Sequence, residues 1–357
     1  MTFVKTNLKK VTLAIGDGGN DVNMIQRADV GIGLFGKEGN QAAFAADYAF
    51  ARFFFLWRLL LVHGRWFYIR TANFINFFFY KNLIFTLPQF WFALYSAYNG
   101  QSYWDDGFIT CYNSVFTSVA PVYYAAQEQD INPRETESIR KAMPYVYAEF
   151  RDKRKLFSSS KFLFWWAAGL VHSLIVYYFA KSTLEGPMNS DGLTFDLWLQ
   201  SITAFAGIFC TVFGVIIMGT HLFQIMTLIC YGVGTLLLYF PLGSLIIDNM
   251  NSYTGDLLFD ALGTPKFWAV GILSTGACCL ILYVIKQYIC LFDPSLADLL
   301  QRDRNKKWQK QTSHPKIEDI STENKLLEPA GKFQFNARIM MDGWYNPGVQ
   351  QRVVTNQ

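Results

Sequence analysis

The apolar positions change their rhythm near residue 53. Upstream they come in short runs broken by Gly, Asp and Asn. Residues 11–15 form an apolar, β-rich run that stops at Gly16, and residues 21–28 have helical spacing. Residues 30–34 read as a second strand, 38–46 as a second helix and 48–51 as a third short strand. A β-α-β-α-β order predicts a parallel sheet. About fifty residues bury too little surface to fold alone, so residues 1–58 read as the end of a larger α/β domain. Downstream the apolar runs lengthen. A helix needs ~20 apolar residues to cross a bilayer. Six runs meet that length, at about 73–98, 107–126, 161–181, 196–218, 221–243 and 266–290. The expected fold is thus an α-helical membrane bundle of six transmembrane helices behind an α/β fragment. Residues 59–72 form a stalk, and residues 291–357 a polar, partly disordered cytosolic tail.

Composition supports lipid as the solvent. Only 16% of residues are charged and 17% are aromatic, against about 25% charged in soluble domains. The net charge of +4 is small and says little about nucleic acid or any acidic partner; no nucleic-acid partner is expected. The distribution of charge is more informative. Between the second and third runs lie Arg134, Arg140, Lys141, Arg151, Lys153, Arg154, Lys155 and Lys161. The tail adds Arg302, Arg304, Lys306, Lys307 and Lys310, whereas the opposite loops carry Asp105, Asp106, Asp191, Asp248, Asp256 and Asp260. Basic loops stay in the cytosol, which places both termini there, as an even number of spans requires. Residues 1–10 lack the apolar core of a secretory signal. The six cysteines sit in or beside apolar runs without metal-ligand spacing and read as small hydrophobes.

Two places carry candidate chemistry. The first is Gly16-Asp17-Gly18-Gly19-Asn20-Asp21, directly after a strand. Such a loop opens at the carboxyl edge of a parallel sheet, where ligands bind. Gly16 and Gly18 allow the backbone to bend and approach a ligand. Asp17 and Asp21 are hard oxygen ligands of the kind Mg²⁺ takes together with phosphate and water. Asn20 can donate to a phosphate oxygen without adding negative charge. The second place is Lys81, near the middle of the first run. A lysine there costs at least ~2.5–3.5 kcal/mol on insertion scales. Phe78, Lys81, Asn82, Phe85 and Gln89 fall on one helical face, which should point into the bundle. Two readings are open: a structural lysine bonded to carbonyls of a broken helix, or a polar half-site for a lipid headgroup. His172 and His221 read as histidines satisfied at helix ends, and Gln200 and Gln224 as interhelical glue.

The loop resembles the hinge-side signature of P-type ATPases. Its continuation resembles the type IV branch, the phospholipid flippases. The resemblance is carried by Gly16 to Ile25, Val30-Gly-Ile-Gly33, Glu38-Gly-Asn-Gln-Ala-Ala43 and Asp47-Tyr48. His63-Gly-Arg-Trp66, Tyr80-Lys-Asn82, Tyr112-Asn113, Phe116-Thr117 and Pro121 extend it. It implies that the α/β piece belongs to a haloacid-dehalogenase-like phosphorylation domain. It also implies that Asp17 coordinates Mg²⁺, with Asn20 and Asp21 supporting the phosphate. Lys81, Asn82 and Asn113 match positions implicated in phospholipid transport. ATP would be the substrate of the intact protein, and the family commonly has an accessory beta subunit. Gly19 stands where the family often has Ala, and the Asp-Lys-Thr-Gly-Thr phosphorylation motif is absent from these residues. The expectation is therefore the C-terminal third of a flippase, inactive by itself. The alternative is a truncated, catalytically inactive membrane protein with a scaffolding or regulatory role. A membrane-anchored, phosphatase-like hydrolase would lack the same nucleophile.

Overall fold

The computed structural model describes residues 1–36, 39–131, 137–152, 157–184, 196–231 and 261–303. They are mostly helical, with one small parallel sheet. The chain forms two units, which divide between Leu60 and Leu61.

The first unit opens with a helix the apolar pattern does not show, α1 (Thr2–Leu8). Strands β1 (Leu13–Gly16), β2 (Val30–Leu34) and β3 (Tyr48–Phe50) pair in parallel in the order β1-β2-β3. Helices α2 (Val22–Arg27) and α3 (Gln41–Ala45) make the crossovers. Their apolar residues Ile25, Ala42 and Ala43 are buried with Ala14 and Ile32 of the sheet. Packing is close at the glycines of β2. A Cβ on Gly33 would come 2.5 Å from the Ala42 oxygen and from the Ala43 Cα. Two aspartates staple the edges. Asp47 Oδ2 accepts from the Gly31 N–H at 2.8 Å, and Asp29 Oδ2 accepts from the Thr12 N–H at 2.9 Å. Lys5 pairs with the second Asp29 oxygen at 2.8 Å. That ammonium, with the Thr12 donors, lowers the Asp29 carboxyl to about 2. The unit ends on α4 (Phe55–Arg58).

A π turn, Leu59–Gly64, leads into α5 (Arg65–Tyr95) of the second unit. The first apolar run was expected at 73–98, yet the helix begins at residue 65. Hydropathy marks the arginines as stalk, whereas backbone hydrogen bonding is indifferent to them once they have partners. Arg65 Nη1 donates to Asp130 Oδ1 at 2.8 Å, Arg70 Nε to the Glu128 oxygen at 2.5 Å, and Trp66 Nε1 to the Ile131 oxygen at 3.1 Å. At 31 residues, α5 is ~46 Å long, well beyond the ~30 Å hydrocarbon core of a bilayer.

The second run is not one helix. It is α6 (Asp106–Cys111), a π turn at Tyr112–Phe116, and α7 (Val119–Gln127). An amphipathic helix, α8 (Glu137–Asp152), follows. The third, fourth and sixth runs appear as α9 (Ser159–Leu184), α10 (Leu197–Gly219) and α12 (Pro265–Phe292). Among the described residues these three helices are long and apolar enough to cross a membrane. Of the fifth run, residues 221–231 are described, including α11 (Ile225–Leu228), and 232–243 lie outside the described residues. The tail expected from 291 is structured at its start: α12 runs to Phe292, and residues 296–303 form a further helix. Residues 304–357 lie outside the described residues.

Helix α10 is the core of this unit. Its most apolar window is 72% buried, against 33% for α9 and 17% for α12. Helix α5 packs on α9, and α10 on α12. Glycines bring each pair close: Gly169 of α9 faces Leu83, and Gly214 of α10 faces Cys279. Polar ties cross the α5–α9 interface, from Trp91 Nε1 to Ser173 Oγ at 3.1 Å and between Tyr80 Oη and His172 Nδ1 at 2.7 Å. His172 is thus fully buried in mid-helix, not at a helix end, and its Nε2 has no partner. His221 does sit at a helix end, where its N–H donates to Glu128 Oε1 at 2.6 Å.

Candidate functional site

In the first unit, Gly16 closes β1 and turns the chain at the carboxyl edge of the sheet. Gly18 is extended, and residues 19–21 make one 3₁₀ turn, with the Asp21 N–H donating to the Gly18 oxygen at 3.2 Å. The Asp21 carboxylate bends back over the loop. Its Oδ2 accepts from the Asp17 N–H at 3.2 Å. Only a glycine leaves room for this, since a Cβ on Gly16 would lie 2.2 Å from the Asp21 Cβ. Asp17 and Asn20 are exposed. A Cβ on Gly19 would meet the Gln41 Oε1 at 2.1 Å. That atom is the free end of a flexible side chain, so an alanine there requires only that Gln41 turn aside. The donor set suits a hard cation: Asp17 offers an exposed carboxylate, while one Asp21 oxygen orders the loop. No group of three or more His, Cys, Asp or Glu that could hold a metal ion occurs among the described residues. A cation here would complete its shell from water or phosphate, as Mg²⁺ commonly does.

In the second unit, Lys81 is buried between α5 and the π turn, at 2% exposure. Its ammonium donates to Asn113 Oδ1 at 2.9 Å, Thr117 Oγ1 at 2.8 Å and the Thr117 carbonyl at 3.4 Å. The Phe78 and Tyr112 ring centroids lie 5.2 and 5.6 Å away, within cation–π range. The backbone explains where these acceptors come from. Proline at 121 has no N–H for the carbonyl four residues back, which is that of Thr117. The π turn shifts the next bonds by one residue, so the Thr117 N–H reaches the Tyr112 oxygen at 3.0 Å. The Thr117 hydroxyl donates to that same oxygen at 2.7 Å. Tyr112 ties back to α5, with its hydroxyl on the Lys81 carbonyl at 2.7 Å and its ring stacked on Phe85 at 4.1 Å.

The structure therefore brings Lys81 and Asn113 together but leaves Asn82 apart. The expected common face is split. Lys81 and Phe85 are buried, Phe78 is 41% exposed, and Asn82 lines an open groove with Phe79, Leu83, Thr86 and Trp166. One helical step is ~100°, enough to move Asn82 from the π turn toward α9. Thr117 was not singled out by residue type. Its signal was the proline four positions later.

Residues 43–295 match the C-terminal region of phospholipid-translocating P-type ATPases. The chain belongs to that family. It is 34% identical over 313 residues to phospholipid-transporting ATPase IC of Xenopus tropicalis, across 85% of this chain and 24% of that protein. The Homo sapiens protein of the same name is 33% identical over 322 residues, covering 86% and 25%. Phospholipid-transporting ATPase DNF1 of Saccharomyces cerevisiae is 34% identical over 310 residues, covering 84% and 19%. The chain thus spans about a quarter or less of the length of these P-type ATPases. The family match contains Lys81, Asn82, Asn113 and Thr117, and it begins downstream of the Gly16–Asp21 loop.

Proposed function

We propose that this chain is the C-terminal portion of an ATP-driven phospholipid flippase, and that Lys81 is its headgroup-binding cation. The observation that carries the proposal is the placement of Lys81. A buried ammonium sits in mid-helix, opposite a broken second helix whose free acceptors hold it. A purely apolar packing role would not place a charge there, because it costs several kcal/mol in hydrocarbon. An ammonium flanked by an amide suits a lipid phosphate, so Asn113 joins Lys81 in the proposed site. Asn82 would act from the neighbouring groove. The membrane portion would comprise six spans with both termini in the cytosol, as the loop charges indicate.

The Gly16–Asp21 loop would be the phosphate-handling part of a haloacid-dehalogenase-like domain. Asp17 would hold Mg²⁺, and Asn20 and Asp21 would support the phosphate. Bound there, the ion would neutralise charge on a transferring phosphoryl group. Asp21 would also keep the loop closed through the Asp17 N–H. An accessory beta subunit is part of the same family-based reading. The test is Lys81→Ala in the full-length protein that carries this chain. Lipid-stimulated ATPase activity should fall at least about tenfold, the effect of one lost bond to a charged group, while phosphorylation from ATP persists. Normal lipid stimulation and selectivity in that variant would overturn the proposal.

A further inference from the structure

We infer that Thr117 is the fixed anchor of the Lys81 ammonium, and that Asn113 is the partner that yields its place to the phosphate of a phospholipid. The inference rests on the lipid-translocating reading above and adds the positioning residue to it. An ammonium has three N–H donors. In this structure all three have acceptors: Asn113 Oδ1, Thr117 Oγ1 and the Thr117 carbonyl. The arrangement is therefore closed to a headgroup, and a phosphate oxygen can reach Lys81 only by replacing one of them.

The three acceptors are not equally replaceable. Two belong to Thr117, which is 0% exposed. Its hydroxyl proton is committed to the Tyr112 oxygen at 2.7 Å, which turns a lone pair toward Lys81. Its carbonyl is a backbone atom left free by Pro121. Neither can leave without dismantling the π turn. Asn113 is on the same turn but exposed. Its side chain can rotate outward without being buried, and the Lys81 donor it leaves is taken up by the incoming phosphate. The exchange is favourable in kind, because a neutral amide oxygen gives way to an anionic one and charge-assisted bonds are the stronger. The released Asn113 amide keeps two N–H donors, which can then serve the same phosphate. Thr117 thus fixes where the cation points, and Asn113 covers it until lipid arrives.

The test uses Thr117→Val, Thr117→Ser, Asn113→Ala and Lys81→Ala in the full-length protein. The readout is lipid-stimulated dephosphorylation as a function of phospholipid concentration. Thr117→Val keeps the shape and removes the hydroxyl acceptor. It should raise the half-saturating phospholipid concentration about tenfold or more, with phosphoenzyme formation unchanged. Thr117→Ser should restore the wild-type value. Asn113→Ala removes the covering acceptor and the two amide donors together, so it should raise that concentration by less than Thr117→Val does. Thr117→Ala takes the place of the valine variant if the latter does not accumulate. If Thr117→Val binds lipid as wild type does while Lys81→Ala does not, the anchor is refuted and the headgroup reading stands. An Asn113→Ala loss as large as that of Thr117→Val refutes the exchange. An unaffected Lys81→Ala refutes the headgroup reading itself.

Discussion

Replacing Asp130 by alanine should be among the most damaging single changes in the second unit. Arg65 begins α5 with its side chain 1% exposed, and the Asp130 side chain is 11% exposed. Nη1 donates to Oδ1 at 2.8 Å and Nη2 bonds Oδ2, so the pair is bidentate. The segment around it is tied on several sides. The Asp130 carbonyl accepts from Gln301 Nε2 at 2.8 Å, the Glu128 carbonyl from Arg70, and the Ile131 carbonyl from Trp66. Asp130→Ala leaves the guanidinium buried opposite a methyl group. Breaking a buried pair in this way costs ~3–5 kcal/mol. At ~2–4 °C per kcal/mol for a unit of this size, Tm should fall on the order of 10 °C. The assay is thermal unfolding of the detergent-purified protein followed by tryptophan fluorescence, at one fixed scan rate because such transitions are often irreversible. Arg65→Met with Asp130→Leu removes both charges and replaces them with apolar volume. That double variant should recover most of the loss and unfold several degrees above Asp130→Ala. A double variant no more stable than Asp130→Ala, or an Asp130→Ala shift below about 2 °C, would show that the pair does not hold residues 128–131 to α5.

Two further outcomes concern the first unit. The Asp29 carboxyl is lowered from 3.8 to about 2 by Lys5 and Thr12. A depressed carboxyl contributes stability that is complete above its unfolded value and disappears as pH falls through the folded one. Amide-exchange protection at Thr12 and Val30 should therefore weaken between pH 4 and 2, and Asp29→Asn should remove that pH step. Gly33→Ala places a Cβ 2.5 Å from backbone atoms of α3, whereas nothing lies within 4 Å of a Cβ on Gly18. The first change should cost ~1–3 kcal/mol and the second about 0.5 kcal/mol or less, measured as protease resistance of residues 1–60.

The parts of the fold set by local rules were legible. Alternating short runs with glycine and aspartate between them placed β2 at residues 30–34, where it is found, and the other strands within a residue or two. Uninterrupted apolar runs placed α9, α10 and α12 within one to three residues. Both patterns report what a segment does by itself. The failures were partnership effects. The start of α5 was misplaced because Arg65 and Arg70 look like stalk until Asp130 and the Glu128 carbonyl are seen to satisfy them. The break at residues 112–116 was hidden because Pro121 alone permits either a kinked or a divided helix.

The same division explains the candidate site. A lysine in an apolar run is visible from composition, because hydrocarbon makes it costly. The residues that make it tolerable are ordinary ones. Thr117 matters through a carbonyl freed by a proline and a hydroxyl oriented by a π turn, and neither property belongs to threonine as a type. Asn82 shows the converse. It follows Lys81 in sequence and is as polar as Asn113, yet one helical step carries it into the groove beside Trp166. Asn113, thirty-two positions from Lys81, is the amide that reaches the cation. Proximity along the chain was therefore the weaker guide here. The stronger one was the unsatisfied backbone acceptor, since a buried carbonyl without a partner needs a donor and Lys81 is the donor that reaches it.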